Sequence, residues 1–333
     1  MARLLIKAMK AKGHDVQLAS RLRTRDGSGD PNLQARLSRT GARLANRLIR
    51  LYTVDGAWRP DIWFTYHLYY KAPDWIGPIV AEALNIPYVV AEASHAPKRA
   101  NGPWRLGHRQ VESTLGRADL VIGLNQRDQA CIEPVLGSHS RYAGLRPFLE
   151  LQEPADRPTA RGEITDRHAL PTNTVWLLTV GMMRAGAKLE SYRVLAAALA
   201  RLEDKTHWRL IVIGDGPARP LVEEALGPDT IFTGALPGEQ LATYYAAADI
   251  FVWPSVREAY GMALLEAQTV GLPAVAGDSG GVSDILRDGE TGLLCAEGDV
   301  AAFADAVARL ITDEPVRLEM GQKARAVTAL DHG

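Results

Sequence analysis

The sequence predicts an α/β protein of two domains, each with a parallel β-sheet. Three observations support this fold class. The chain has 333 residues, which suits two domains of ordinary size. Short apolar runs alternate with helical patterns, as in parallel α/β architecture. A segment rich in Pro, Thr and charge, 151–172, divides these runs into two sets, so we expect a linker there between domains at 1–150 and 173–333.

Ten apolar runs have the length of a strand. Val, Ile, Leu and Trp dominate them, as strands buried on both faces of a sheet require. The runs are 15–19, 62–66, 88–91 and 120–124 in the first domain and 175–180, 210–213, 230–233, 250–253, 274–276 and 293–294 in the second. The chain opens in a helix at 1–11 and closes inside another helical pattern. We therefore expect the first domain to lack its N-terminal strand, and a helix returning to that domain to be absent.

Composition excludes several classes of protein. Hydrophobic residues make up 47% of the chain and charged residues 23%, unlike a disordered or fibrous chain. No apolar run approaches the roughly 20 residues that cross a bilayer, and the N-terminus lacks the apolar core of a secretory signal. Cys131 and Cys295 are far apart, which argues against a disulfide framework or a cysteine zinc site. We expect a cytoplasmic protein.

Charge is distributed unevenly between the two halves. Residues 1–150 carry 22 Lys and Arg against 13 Asp and Glu, whereas residues 151–333 carry 16 against 26. Either the first domain meets an anionic partner or the two halves attract each other.

Two carboxylates flank the start of a helix that follows the strand at 250–253. Glu258 precedes the first turn and Glu266 lies inside the helix, so both can face one cleft above the strand ends. The amides of Gly261 and Met262 stand at the positive end of this helix and suit a phosphate or a sugar hydroxyl. Carboxylates accept charge-assisted hydrogen bonds from such hydroxyls. The alternative is that both acidic residues lie at a helix start, where acids are favoured, and have no role in binding.

This stretch resembles the signature of the retaining family 4 glycosyltransferases, also called group 1 glycosyltransferases. The similarity continues in VIGDGP at 212–217 and in GDSGGVSDILRDGETGLL at 277–294. It is weaker in the first half, in GHDV at 13–16 and RPDIWFTYH at 59–67. The resemblance implies a GT-B fold, in which two Rossmann-like domains face each other and the second binds most of a nucleotide sugar.

The resemblance also implies roles for individual residues of the second domain. Glu258 would be catalytic and contact the donor sugar, and Glu266 would accept hydrogen bonds from the ribose. The amides of Gly261 and Met262 would touch the sugar or the diphosphate. The glycine-rich loop at Gly214 would line the nucleotide pocket, although such a turn by itself is weak evidence.

Family members place an arginine and a lysine after the first strand of the second domain, where they neutralise the donor diphosphate. Arg184 and Lys188 are the cations available here. Met182 stands where the family usually has its arginine, and the spacing between the two cations is shorter than usual. The alternative is a solvated pair on a loop.

In the first domain, the family pattern places a histidine near a strand end, facing the reacting sugar. His95 fits this position and is the catalytic candidate, and His67, which ends another strand, is its competitor. Either can instead be a structural histidine. Glu92 lies at the same strand end as His95, and the basic pair Lys98 and Arg99 suits an anionic acceptor or water.

We therefore expect a retaining transferase that moves a sugar from a nucleoside-diphosphate sugar to the hydroxyl of a carbohydrate or lipid-linked acceptor, in bacterial polysaccharide or glycolipid synthesis. The departing phosphate would help to deprotonate the acceptor. There is no Asp-x-Asp motif, no cluster with metal-ligand spacing and no P-loop. We expect no metal, no cofactor beyond the nucleotide sugar and no nucleic-acid partner. The alternatives are a nucleotide-sugar epimerase on the same fold and an incomplete, non-catalytic donor-binding protein.

A basic amphipathic helix is predicted at 32–53, a segment without any acidic residue. Its leucines cluster in an arc beside its arginines, which are Arg36, Arg39, Arg43, Arg47 and Arg50. One interpretation is an ordinary surface helix. The other is that the leucines pack inward while the arginines meet anionic lipid, which would hold the protein peripherally on the inner membrane face.

Overall fold

The computed structural model describes residues 1–124, 126–151, 153–202 and 206–333. These residues form two compact units, 1–145 and 146–333. The first unit contains a parallel sheet of four strands and the second a parallel sheet of six. Each unit also has its own hydrophobic core. The predicted fold class, two α/β units with parallel sheets, is confirmed.

The first unit has the strand order β1-β2-β3-β4. Its elements are α1 (Ala2–Ala11), α2 (Pro31–Tyr52), β1 (Trp63–Leu68), α3 (Gly77–Leu84), β2 (Tyr88–Ala93), α4 (Arg105–Leu115), β3 (Leu120–Gly123), α5 (Gln126–Ile132) and β4 (Arg141–Gly144). The expectation of a further strand before residue 1 stays a prediction.

One strand prediction in this unit is wrong, and one strand was not predicted. Residues 15–19 form no strand and lie in the irregular segment between α1 and α2. Leu18 is 73% exposed, so little apolar burial is available there to compensate for the entropy of ordering a strand. The strand β4 was not predicted, because its four residues are mostly exposed and form no apolar run. It exists by pairing with β3.

The second unit has the strand order β10-β9-β8-β5-β6-β7. Its elements are α6 (Arg157–His168), β5 (Val175–Val180), α7 (Ala187–Leu199), β6 (Trp208–Ile213), α8 (Arg219–Leu226), β7 (Ile231–Gly234), α9 (Gly238–Ala247), β8 (Ile250–Trp253), α10 (Met262–Thr269), β9 (Ala274–Asp278), β10 (Gly292–Ala296), α11 (Val300–Thr312) and α12 (Glu314–Asp331). The chain runs from β5 outward to β7, then returns to the other side of β5 as β8. In such sheets, ligands bind outside the carboxyl ends of the strands at this reversal.

The predicted linker, 151–172, instead contains α6, which belongs to the second unit. Its proline and charges suggested a loop, but Pro158 occupies the first turn of the helix, where a missing N–H costs nothing. Arg161 donates to the buried Asp249 at 2.9 Å and stacks over Trp176 at 3.9 Å, and Arg157 pairs with the same carboxylate. These contacts hold α6 on the sheet.

Helix α2 matches the basic amphipathic helix of the sequence. Its five arginines are exposed, while Leu44, Leu48 and Ile49 pack against the first core. Asp30 caps the helix by accepting a hydrogen bond from the amide of Asn32 at 2.8 Å. Across the described ranges, no helix is long and apolar enough to pass through a bilayer.

Candidate functional site

The loops after β5 and β6 lie in direct contact at the carboxyl edge of the second sheet. Gly214 and Gly216 have φ values of 142° and 149°. A Cβ on Gly214 would lie 1.9 Å from the carbonyl oxygen of Gly181, and one on Gly216 would lie 2.2 Å from that of Met183. Only glycine permits so close a backbone approach, which explains the glycine-rich turn that the sequence placed at Gly214.

Glu258 is held at this edge by two donors. Its carboxylate accepts from Lys188 Nζ at 2.5 Å and from Trp253 Nε1 at 3.0 Å. The Lys188 ammonium also lies 5.0 Å from the centre of the Trp253 ring. The side chains of Lys188 and Glu258 are 19% and 13% exposed, so solvent screens this ion pair only weakly. The structure thus brings together two residues that the sequence predicted to share a site.

The backbone that carries Glu258 is strained and tightly packed. Ser255 and Arg257 adopt left-handed conformations with φ of 55° and 48°, which are costly for residues other than glycine. On its other side, a Cβ on Gly280 would lie 1.7 Å from the Glu258 carbonyl oxygen. Such strain persists where the surrounding structure holds it in place, and it is concentrated at functional sites.

Helix α10 begins directly after this segment. Gly261 is its N-cap with φ of 74°, and Met262 is its first residue. Glu266 lies one turn inside and accepts from the Tyr245 hydroxyl at 2.9 Å. Burial raises the pKa of Glu266 above its ordinary value, and the hydrogen bond from Tyr245 offsets part of that rise. The partner Tyr245 was not predicted, because it comes from α9 and no sequence motif marks it.

Arg184 lies exposed on the loop between β5 and α7. Met182, at the position where the sequence departs from the family pattern, is 58% exposed on the same loop. The structure therefore joins Lys188 to Glu258 by contact and leaves the Arg184 side chain in solvent. The roles assigned to all these residues stay predictions.

In the first unit, His95 is buried rather than presented at the sheet edge. It is 7% exposed, and its Nδ1 lies 3.1 Å from the carbonyl oxygen of Cys131. Spacing along the chain shows no cluster of metal ligands, whereas the fold brings His95, His108 and Glu112 together. The sequence could not reveal this group, because 13 positions and a change of element separate the two histidines.

His67, the competitor, pairs with Glu92 at the carboxyl ends of β1 and β2. Its Nδ1 lies 3.1 Å from Glu92 Oε1, and the side chain of His67 is 50% exposed. Both residues have positive φ, 66° and 57°. Burial raises the pKa of Glu92, but hydrogen bonds from His67 and Tyr66 outweigh it, so the pKa lies below its ordinary value.

Asp128, from α5, adds a further carboxylate near this pair. Burial and the charge of Glu92 raise the pKa of Asp128, and a hydrogen bond with Ser94 opposes the rise. Sequence reasoning missed both Tyr66 and Asp128. The available signal was their position at or just after strand ends, where the side chains of neighbouring parallel strands meet.

Comparison with known proteins decides what the second unit is. Residues 174–313 match the family described as glycosyl transferases group 1. The matched residues include Lys188, Glu258 and Glu266. The second unit is a group 1 glycosyltransferase domain. The resemblance to family 4 glycosyltransferases is thereby confirmed.

Curated proteins that are similar to this chain include named glycosyltransferases. A GDP-mannose-dependent alpha-mannosyltransferase of Corynebacterium glutamicum is 40% identical over 122 residues, which are 37% of this chain and 29% of that protein. A D-inositol 3-phosphate glycosyltransferase of Corynebacterium urealyticum is 28% identical over 281 residues, or 78% of this chain and 65% of that protein. Of the first three relatives, the chain spans 29%, 30% and 46%.

Solved structures extend the similarity in fold to nearly the whole chain. The Anabaena protein HepE, in complex with UDP and glucose, aligns over 98% of this chain and 84% of its own, with a TM-score of 0.70 and 16% identity. The lipopolysaccharide glycosyltransferase WaaG aligns over 97% of this chain and 89% of its own, with a TM-score of 0.65 and 18% identity. The predicted GT-B fold is confirmed.

Proposed function

We propose that this chain transfers a sugar from a nucleoside-diphosphate sugar to an acceptor hydroxyl, with retention of configuration at the anomeric carbon. The observation that carries the proposal is the Glu258–Lys188 pair at the point where the strand order of a group 1 domain reverses. The names of two relatives support the donor class, because one is GDP-mannose-dependent and HepE was solved with UDP-glucose.

The two charges of the pair have different tasks in this proposal. Lys188, assisted by Arg184, neutralises the diphosphate, on which negative charge builds as the glycosidic bond breaks. Glu258 accepts hydrogen bonds from the sugar hydroxyls, and Glu266 accepts them from the ribose. The amides at Gly261 and the backbone at Gly214 approach the donor closely, since neither position carries a side chain.

Retention requires that the acceptor attack from the face on which the nucleoside diphosphate departs. A phosphate oxygen of the leaving group then takes the acceptor proton, and the proposal needs no protein nucleophile. Lys188 and the N-terminus of α10 supply positive charge for this step, so the proposal includes neither a metal at the donor site nor a cofactor beyond the nucleotide sugar.

The carboxyl edge of the first sheet is our candidate for acceptor contacts. His67 is half-exposed there and oriented by Glu92, with Asp128 nearby, whereas His95 is buried. We assign the acceptor hydroxyl to the His67–Glu92 pair and not to His95.

Helix α2 carries the membrane part of the proposal. Its arginines point away from the core, and each lysine or arginine near an anionic surface contributes about 1 kcal/mol. A peripheral position on the inner membrane face would bring the enzyme to a lipid-linked acceptor in polysaccharide or glycolipid synthesis.

One experiment separates transfer from its rivals. The chain is incubated with UDP-, GDP- and ADP-sugars and lipid-linked or free carbohydrate acceptors, and proton NMR follows the anomeric signals. A new glycoside with the donor's anomeric configuration supports the proposal. An isomerised nucleotide sugar without acceptor would instead identify an epimerase, and donor binding without turnover would identify a non-catalytic protein.

A further inference from the structure

Two buried histidines and one carboxylate converge in the first unit. His95 follows β2, while His108 and Glu112 stand one turn apart on α4. His95 Nε2 lies 3.3 Å from Glu112 Oε1, and His108 Nδ1 lies 3.5 Å from Glu112 Oε2. The histidine side chains are 5% and 1% exposed, and that of Glu112 is 42% exposed. The potential ligand atoms of all three lie within 4.8 Å of one another.

The hydrogen-bond partners of His95 fix its tautomer. Its Nδ1 faces the carbonyl oxygen of Cys131 at 3.1 Å, and a carbonyl can only accept, so Nδ1 carries the hydrogen. In the neutral ring, Nε2 then presents a lone pair toward the carboxylate of Glu112. Two acceptors facing each other repel, so something positive is needed between them.

A proton on His95 Nε2 would satisfy only half of the cluster. It would leave His108 nearly fully buried, and among the described residues neither nitrogen of that ring has a hydrogen-bond partner. A buried imidazole without a partner loses the free energy of its solvation. A metal ion would instead engage His95 Nε2, His108 Nδ1 and the Glu112 carboxylate together.

We propose that His95 Nε2, His108 Nδ1 and Glu112 bind a divalent transition-metal ion, with Zn²⁺ the best match. Bonds of about 2.0–2.1 Å place neighbouring ligands of a tetrahedral ion about 3.3–3.4 Å apart. His95 Nε2 lies at such a distance from Oε1 of Glu112, and His108 Nδ1 lies near it from the other carboxylate oxygen, Oε2. Two imidazoles and one carboxylate form a ligand set that zinc accepts, with water in the fourth position. The half-exposed side chain of Glu112 gives that water access.

The Cys131 carbonyl accepts the hydrogen bond from His95 Nδ1. Such a partner outside the ligand set orients the ring of a metal-binding histidine. The ion would therefore join three pieces of the first unit: the segment after β2, helix α4 and, through Cys131, helix α5. This site takes no part in the proposed donor chemistry of the second unit, so it can fail without affecting that proposal.

Cobalt and zinc titrations of the full chain test the site. The protein is stripped with a chelator and dialysed. We expect one equivalent of Co²⁺ to give the visible absorption of a tetrahedral site, and Zn²⁺ to displace it. Glu112→Gln keeps the shape of the side chain but removes the anionic ligand, and we expect it to weaken Zn²⁺ binding by about a hundredfold or more.

Glu82→Gln is the matched control, because Glu82 is an exposed carboxylate of the same unit that pairs with Arg117. It should bind Zn²⁺ like the wild type. Zn²⁺ should also raise the unfolding temperature of the wild type and of Glu82→Gln, and not that of Glu112→Gln. No stoichiometric uptake by the wild type, or equal uptake by Glu112→Gln, would overturn the proposal. So would imidazole NMR signals that show a doubly protonated His95 undisturbed by Zn²⁺.

Discussion

The carboxyl edges of the two sheets each hold a glutamate beside a nitrogen base, but they differ in the base and in the backbone. In the second unit, Glu258 pairs with a lysine ammonium, and the left-handed residues are its neighbours Ser255 and Arg257 rather than the paired residues themselves. In the first unit, Glu92 pairs with His67, and both residues adopt left-handed backbone conformations although neither is glycine. A lysine offers a lasting positive charge, whereas a histidine exchanges its proton near neutral pH.

In the proposed function, the two edges have different tasks. A diphosphate leaving group needs fixed positive charge, which Lys188 of the second edge would supply. An acceptor hydroxyl needs orientation and hydrogen-bond exchange, which suits the first edge.

Removing the fixed charge of the second edge should have the largest effect. Lys188→Gln should lower the turnover of sugar transfer by about a hundred- to a thousandfold, because it removes electrostatic stabilisation of the leaving diphosphate. Release of the nucleoside diphosphate measures the rate. Lys323→Gln, on α12, is the control, since that lysine is exposed and pairs only with Glu319 in the salt bridges of the described residues. If the turnover of Lys188→Gln were within twofold of the wild type, Lys188 would not stabilise the leaving diphosphate, and the proposed difference between the two edges would be wrong.

The arginines of α2 should affect binding to anionic membranes without affecting binding of the donor. Replacing Arg43, Arg47 and Arg50 with Gln should lower the binding constant for anionic vesicles, measured by sedimentation, by about a hundredfold, at about 1 kcal/mol for each arginine. Donor binding should not change. Replacing Arg193, Arg201 and Arg309 of the second unit removes the same charge elsewhere and should leave vesicle binding intact. Equal recovery of the wild type with neutral and anionic vesicles would leave α2 an ordinary surface helix.

Sequence reasoning succeeded better in the second unit than in the first, and the reason is physical. Most strands of the second sheet are buried apolar runs, and its site residues lie in short segments at strand ends, so local patterns mark both. In the first unit, β4 exists through pairing and not through an apolar pattern. Residues 15–19 have the apolar pattern of a strand but form none.

Contacts across elements were the part that the sequence could not show. The Glu258–Lys188 contact spans 70 positions; the resemblance assigned both residues to the donor, but no local pattern predicts their direct contact. Helix α6 was not predicted, because its proline and charged residues suggested a loop. In the structure the proline lies in the first turn of the helix and the charged residues form ion pairs. The cluster of His95, His108 and Glu112 arises only when the segment after β2 meets α4.

Glu266 offers a test of the buried carboxylate in the second unit. Because its pKa is raised in the folded protein, it favours folding most below its ordinary pKa of 4.5 and loses that contribution as the pH rises through the folded value. Glu266→Gln should therefore be at least as stable as the wild type at neutral pH while binding donor about tenfold more weakly. Thermal unfolding and titration calorimetry measure the two effects, with Glu163→Gln on α6 as a surface control. A variant that loses stability without losing affinity would make Glu266 structural.

The strain of the first edge should give the smallest effect. A left-handed conformation costs a residue other than glycine about 1 kcal/mol or more. The free energy of unfolding, measured in urea, should therefore be about 1 kcal/mol higher for Glu92→Gly than for Glu92→Ala. Both variants lack the carboxylate, so the comparison isolates the backbone. An alanine variant as stable as the glycine variant would show that the edge stores no strain.

The measurement that tests the central claim most directly is a calorimetric titration of two variants with two ligands. The claim is that Lys188 binds the diphosphate and Glu258 the sugar. After the preferred base is found among UDP, GDP and ADP, the free nucleoside diphosphate and its sugar conjugate are each titrated. Lys188→Gln should weaken both ligands, whereas Glu258→Gln should weaken the sugar conjugate about ten- to a hundredfold without weakening the free diphosphate, because the variant removes a negative charge beside Lys188. If Glu258→Gln weakened both ligands equally, or if neither variant changed either affinity, the account of this edge as a donor site would be wrong.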